Sequence, residues 1–132
     1  MVAPGFPQLK LWPDTIGSVG ASAEALPRVH PRLDKRACRA ARGFPRVCLP
    51  LTHIYVLDRE TGHAIEPLAK QDALIELVRH SYAVRLLQQT NASLHFSRCA
   101  SVAARLPVRR LKRLHSLSSL PELGRIVEND LA

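Results

Sequence analysis

Aromatic side chains are scarce in this sequence: three Phe, two Tyr and one Trp make up 5% of it. Stacking of bases on a sheet of aromatic rings is therefore not the mode of contact to expect. Glycine is as sparse, and the six glycines are scattered, so no Gly-rich loop exists to cradle a nucleotide phosphate. The three cysteines, Cys38, Cys48 and Cys99, form no CxxC pair and leave one over. That argues against a disulfide framework and suits a reducing compartment, the cytoplasm or an organelle matrix. No stretch approaches the roughly 20 apolar residues needed to span a bilayer, so a membrane-spanning chain is not expected. The first 25 residues lack a charged start followed by an apolar run, so no secretory signal is expected there. Residues 28–46 share the Arg-rich, acid-poor composition of a mitochondrial transit peptide, but they start late among Pro27, Pro31 and Pro45.

Negative charge is the next shortage. Eleven acidic residues face nineteen basic ones, giving a net charge of +8 and a pI near 10.3. Fifteen of the nineteen are arginine. A GC-rich coding sequence produces the same bias, yet the planar guanidinium fork also suits phosphate and carbonyl acceptors. A pI above 9 with clustered arginines is the footprint of nucleic-acid binders, and anionic membranes or acidic proteins attract the same charge.

The 132 residues give room for one domain, and they divide unevenly. Residues 1–50 hold seven of the ten prolines and four of the six glycines, whereas 51–132 hold most of the periodic Leu, Ile and Val. The first part reads as an extended basic arm, flexible or ordered by a partner. Pro4, Pro7 and Pro13 disfavour helix before them, and Phe6 and Trp12 are the candidate partner anchors, since buried tryptophans dominate many interfaces. Arg28, Arg32, Lys35, Arg36, Arg39, Arg42 and Arg46 follow, opposed only by Asp34. A helix over 33–42, ended by Gly43, would array Arg32, Lys35, Arg36, Arg39 and Arg42 along one broad face and require an anionic partner or a docking surface.

The second part reads as a small α+β domain. Residues 51–58 have strand composition, Asp58–Gly62 supplies turn chemistry, and 63–66 returns, predicting a β-hairpin. Leu74, Leu77, Val78, Tyr82 and Leu86 predict one long helix over about 68–89. Ser93–Ser97 suggests a short third strand, and C-terminal helices are expected over 99–106, 107–115 and 119–131. The last has a capping-box pattern, Ser119 to Glu122. A domain this small has a poor surface-to-volume ratio and is marginal by itself.

Little in this sequence supports catalysis. His95 and Cys99 are four apart, as two ligands on a helix would be, but no third or fourth ligand is supplied, so no metal or other cofactor is expected. Cys99 with His95 or His80 lacks the third group that orients a nucleophile–base pair. Asp58 with Glu60 and Asp72 with Glu76 are explained by a turn and a helix surface. No small-molecule substrate, and no enzyme, is expected.

The basic clusters carry the functional expectation. Arg105, Arg109, Arg110, Lys112 and Arg113 form the second one, in the folded part, and Arg36, Arg39, Arg42 and Arg46 ride on the arm. Either cluster alone is the composition of a solvated face. Together with a proline-rich arm they favour a non-catalytic structural component of a large ribonucleoprotein, ribosome-like, that binds RNA phosphates beside neighbouring proteins. One alternative is a helix-turn-helix DNA-binding regulator using residues 99–115, although Pro107 stands where that turn wants glycine. The other is an accessory protein–protein subunit of a multi-subunit complex, soluble or membrane-bound, anchored by Trp12.

Overall fold

The computed structural model describes residues 1–18, 21–40, 43–81 and 91–132. The chain is α+β and divides into two compact units, Met1–Pro50 and Leu51–Ala132.

The first unit contains more regular structure than an extended arm. Strand β1 (Gln8–Leu11), strand β2 (Arg28–His30) and strand β3 (Leu33–Arg39) form an antiparallel sheet in the order β1-β3-β2, and helix α1 (Pro13–Ser18) follows β1. Pro13 opens α1, where its missing N–H costs nothing. Ile16 on that helix is fully buried. Val2 and Leu49 exchange two backbone hydrogen bonds, 2.7 and 3.0 Å, which tie the two ends of the unit together.

The helix expected over 33–42 is strand β3 instead, as far as the described residues run. A helix would have stacked Arg32, Lys35, Arg36 and Arg39 on one surface. A strand sends alternate residues to opposite faces and so splits that charge. Gly43 does take a left-handed φ of 72°, but after a strand.

The second unit has strands β4 (Ile54–Arg59), β5 (Ala64–Pro67) and β6 (Val108–Arg113), with helices α2 (Lys70–Arg79), α3 (Ala92–Arg105) and α4 (Leu120–Leu131). Strands β4 and β5 occur where strand composition placed them, but they are not a hairpin. Strand β6 lies between them, parallel to β4 and antiparallel to β5. The helix expected over 107–115 is this central strand. Val108 and Leu111 are three apart and both buried, which mimics helical spacing. In a strand they point to opposite faces, and both faces are covered. Arg110 reaches Glu76 on α2, whereas Arg109 reaches Asp130 on α4. Helices α2 and α4 therefore flank the sheet on opposite sides.

The third strand expected over 93–97 is the first part of α3, whose Cys99 and Ala103 are buried one turn apart. The long helix is described over Lys70–Arg79 as α2, and residues 82–89 of that expectation lie outside the described residues. Helix α4 starts as expected, but Ser119 makes no capping bond. Its hydroxyl donates to the Ser116 carbonyl. The core joins Ala73 of α2, Ala103 of α3 and Val108 of β6, with Ile54, Val56, Leu68, Leu74 and Leu77 packed around them. Two alanines at this junction let the helices approach each other closely beside the strand. Among the described residues, no helix is long and apolar enough to cross a membrane.

Candidate nucleic-acid interface

The two basic clusters differ in what surrounds them. On β6, three of the four cations meet carboxylates of their own chain. Arg109 pairs with Asp130, which also accepts from the Tyr55 hydroxyl. Arg110 lies between Glu76, at 3.4 Å, and Asp58, at 3.6 Å. Lys112 donates to Glu66 at 2.8 Å. Glu66 lies on the neighbouring strand, where its register partner is Arg110 and that of Lys112 is Ala64. Glu76 is the hub, with its side chain only 11% exposed and Arg79 and His80 also within 3.4 Å. Arg113 is half-buried and Arg105 exposed, and among the described residues neither meets a carboxylate.

These pairs have a readable pH signature. Burial pushes the Tyr55 phenol above its ordinary range, and the bond to Asp130 and that carboxylate's charge add to it, against Arg109. The Glu66 carboxylate raises Lys112 likewise, against desolvation. Both groups are raised on folding, so each favours the folded chain fully below its ordinary value of about 10. That contribution is lost as pH rises through the higher folded value. The thermal midpoint of the C-terminal unit is therefore expected to fall at alkaline pH above about 10, and Tyr55→Phe should remove part of the fall. Phenolate absorbance measured alongside the melting curve checks it. A midpoint flat through this range would contradict the Tyr55–Asp130 contact.

In the N-terminal unit the basic residues are largely unneutralised. Eight of them face three acids, Asp14, Glu24 and Asp34. Asp34 takes Arg28 at 3.1 Å and Arg36 at 3.7 Å. The Ser22 hydroxyl holds the Glu24 carboxyl below its usual range, aided by a backbone N–H and then by the Arg36 charge. Arg36 itself is 16% exposed, and its buried Nε has no partner among the described residues. It is a structural residue of the sheet more than a free contact.

Arg39 and Arg46 are exposed and line one groove with Pro4, Pro7 and Phe44. Arg42 lies outside the described residues. Phe6 is 78% and Trp12 49% exposed. Half of the chain's six aromatic residues, Phe6, Trp12 and Phe44, fall in this first unit. A low average aromatic content thus conceals a local concentration.

Sequence reasoning grouped the cations but missed the acids that occupy them. Glu76 and Arg110 are 34 positions apart, and no local spacing announces their meeting. It also passed over Lys10, whose signal was available in the polar–apolar alternation Gln8-Leu9-Lys10-Leu11, a period of two on β1. His95 Nε2 and the Cys99 thiol do meet, at 3.5 Å along one helix, with the Ser81 hydroxyl 3.9 Å from the sulfur. Among the described residues, no three metal-binding side chains converge on any point.

No family model, no curated protein and no solved structure matches this chain.

Proposed function

We propose that this protein is a non-catalytic component of a ribonucleoprotein assembly, and that its N-terminal unit makes the main contact with RNA phosphates. One observation carries the reading. Among the described basic residues of 1–50, only Arg28 and Arg36 meet a carboxylate in an ion pair, whereas Lys10, Arg32, Lys35, Arg39 and Arg46 meet none. Cations that have no internal partner are the ones a phosphate backbone recruits, releasing its counterions as they bind. In the C-terminal unit Arg105 and Arg113 supplement them, while Arg109, Arg110 and Lys112 serve the fold.

A DNA-reading helix-turn-helix over 99–115 finds less support, because residues 108–113 are a central strand and not a recognition helix. The accessory-subunit alternative draws on the exposed Phe6 and Trp12. It predicts co-purification that resists nuclease and high salt.

Binding is expected to be salt-sensitive and largely indifferent to sequence. The full-length triple variant Arg32→Ala, Arg39→Ala and Arg46→Ala should bind a mixed-sequence RNA oligonucleotide more weakly. Its dependence of log affinity on log salt should flatten by about 2, at roughly 0.7 per lost single-strand contact. Fluorescence anisotropy over a salt series measures both. Wild-type protein that ignores RNA at low salt would remove the reading, and an unchanged slope would remove these three residues from it.

A further inference from the structure

The pleat of the N-terminal sheet sorts its charges. In β3, Asp34, Arg36 and Cys38 point to one face, and Leu33, Lys35, Ala37 and Arg39 to the other. The register of β1 carries the division across: Leu9 lies opposite Cys38 and Leu11 opposite Arg36, while Gln8 lies opposite Arg39 and Lys10 opposite Ala37. On β2, Arg28 lies opposite Arg36. One face therefore holds Arg28 and Arg36 together with Asp34, and Glu24 is near enough to feel the Arg36 charge.

The other face holds Lys10, Lys35 and Arg39, and none of its strand positions carries an acid. Trp12 continues it, one step beyond the Leu11–Arg36 pair, with the Lys35 ammonium 5.1 Å above its ring centre. Asp14, the unit's third acid, belongs to α1.

We infer that this face, carrying Lys10, Lys35, Arg39 and Trp12, is a binding surface for single-stranded RNA, with Trp12 as the stacking platform for a base. This deepens the RNA-binding reading given above and rests on it. The charges are spaced for a backbone: Lys35 and Arg39 are about 13 Å apart along one strand, at roughly 3.3 Å per residue. Lys10 stands beside the midpoint, across from Ala37. Cations at steps of about 6–7 Å follow from that rise, and they match the repeat of an extended sugar–phosphate chain.

The aromatic element is equally placed. Trp12 is half-exposed, and its ring already attracts a cation through its face. A base stacking there would send Lys35 to the adjacent phosphate. Beside Arg39 the same face opens into a groove of about 530 Å3 lined by Phe6, Leu26, Pro27 and Ala37. That volume lies within the roughly 300–1,000 Å3 of small-ligand pockets, so the groove is roomy enough for a second splayed base. Duplex RNA buries its bases in the stack and cannot use either feature. Commitment to a single strand follows from the aromatic and the charges sharing one face.

Trp12 is the only tryptophan, so its emission reports on this face in the unmodified chain. Full-length protein is titrated with a single-stranded uridine oligonucleotide and, separately, with an RNA duplex of equal length. The single strand is expected to change Trp12 emission and to bind about tenfold more tightly than the duplex, the scale of one stacked base. Trp12→Ala should lose about tenfold in single-strand affinity while keeping the salt slope, and Trp12→Phe should recover part of it. Lys10→Ala with Lys35→Ala should instead lower the slope by about 1.4.

RNA binding with a normal salt slope, silent Trp12 emission and no preference against duplex would overturn this inference and leave the broader reading standing. No RNA binding at all would overturn both. Emission that responds to a polyglutamate peptide and not to the oligonucleotide would assign the face to an acidic protein and also overturn it.

Discussion

Leu111→Ala is expected to destabilise the C-terminal unit by about 3 kcal/mol, within the roughly 2–5 kcal/mol typical of buried leucines. Leu111 occupies the middle of β6 and is 5% exposed. Its register partners are Leu57 on β4 and Ile65 on β5. Both edges of β6 are hydrogen-bonded to neighbouring strands, so the backbone has little freedom to collapse into the space left by the side chain. Residual cavity is what moves such substitutions toward the costly end of their range.

A unit of this size holds only about 4–12 kcal/mol in total, at 0.05–0.15 kcal/mol per residue. The loss should lower its thermal midpoint by about 15 °C, at 4–8 °C per kcal/mol. Leu57→Ala is the matched control, because Leu57 is 60% exposed on the adjacent strand. It should cost well under 1 kcal/mol, as exposed positions do. Urea denaturation of the two variants reads the comparison. Equal effects would deny β6 its central place in the sheet.

Glu76→Ala should be the next most damaging change, at about 2 kcal/mol. Breaking a fully buried ion pair costs about 3–5 kcal/mol, and the discount reflects Arg110, whose side chain is 33% exposed and keeps Asp58 as a second partner. Glu76 gathers Arg79, His80 and Arg110, so its loss leaves two guanidinium groups and an imidazole close together without their shared acceptor. Arg110→Ala should be destabilising too. The double variant should cost less than the sum of the singles, because both remove the same contact.

The diagnostic part is RNA affinity. Both Glu76→Ala, which raises net charge, and Arg110→Ala, which lowers it, should leave the affinity of the folded protein nearly unchanged. A binding site on β6 would respond to them in opposite directions. Denaturation curves and RNA titrations on the same preparations separate the two cases.

Much of the second unit was legible residue by residue. Ile54, Tyr55 and Val56 marked a strand by their branched and aromatic side chains, and the spacing of Leu74 and Leu77 marked α2. Leu120, Leu123, Val127 and Leu131 likewise marked α4. The errors share a physical origin. Strand β6 is covered on both faces, so it shows no alternation of apolar and polar residues, and Val108 and Leu111 copy a helical interval. Strand β3 does not alternate either, because Lys35 and Arg39 fall on one face and Arg36 on the other, and a long cationic side chain is tolerated on both. Pairing was illegible for a different reason. The partner of β4 begins more than fifty positions later, and nothing in Asp58–Gly62 forbids the simpler hairpin. The candidate site divided in the same way. The clusters of cations could be counted from sequence, but which of them are neutralised is decided by contacts such as Glu76–Arg110 and Arg109–Asp130.

The order of strands in the second sheet also bears on how the protein comes into being. Strands β4 and β5 leave the ribosome first, yet neither hydrogen-bonds to the other, and both wait for β6 to arrive between them. Until residues past Arg113 have emerged, two apolar strands and two helices have no sheet to join. Over that interval the edges of β4 and β5 are unpaired, which favours misassembly. Closure then happens late and in one step, through contacts distant in sequence, which makes for slow folding.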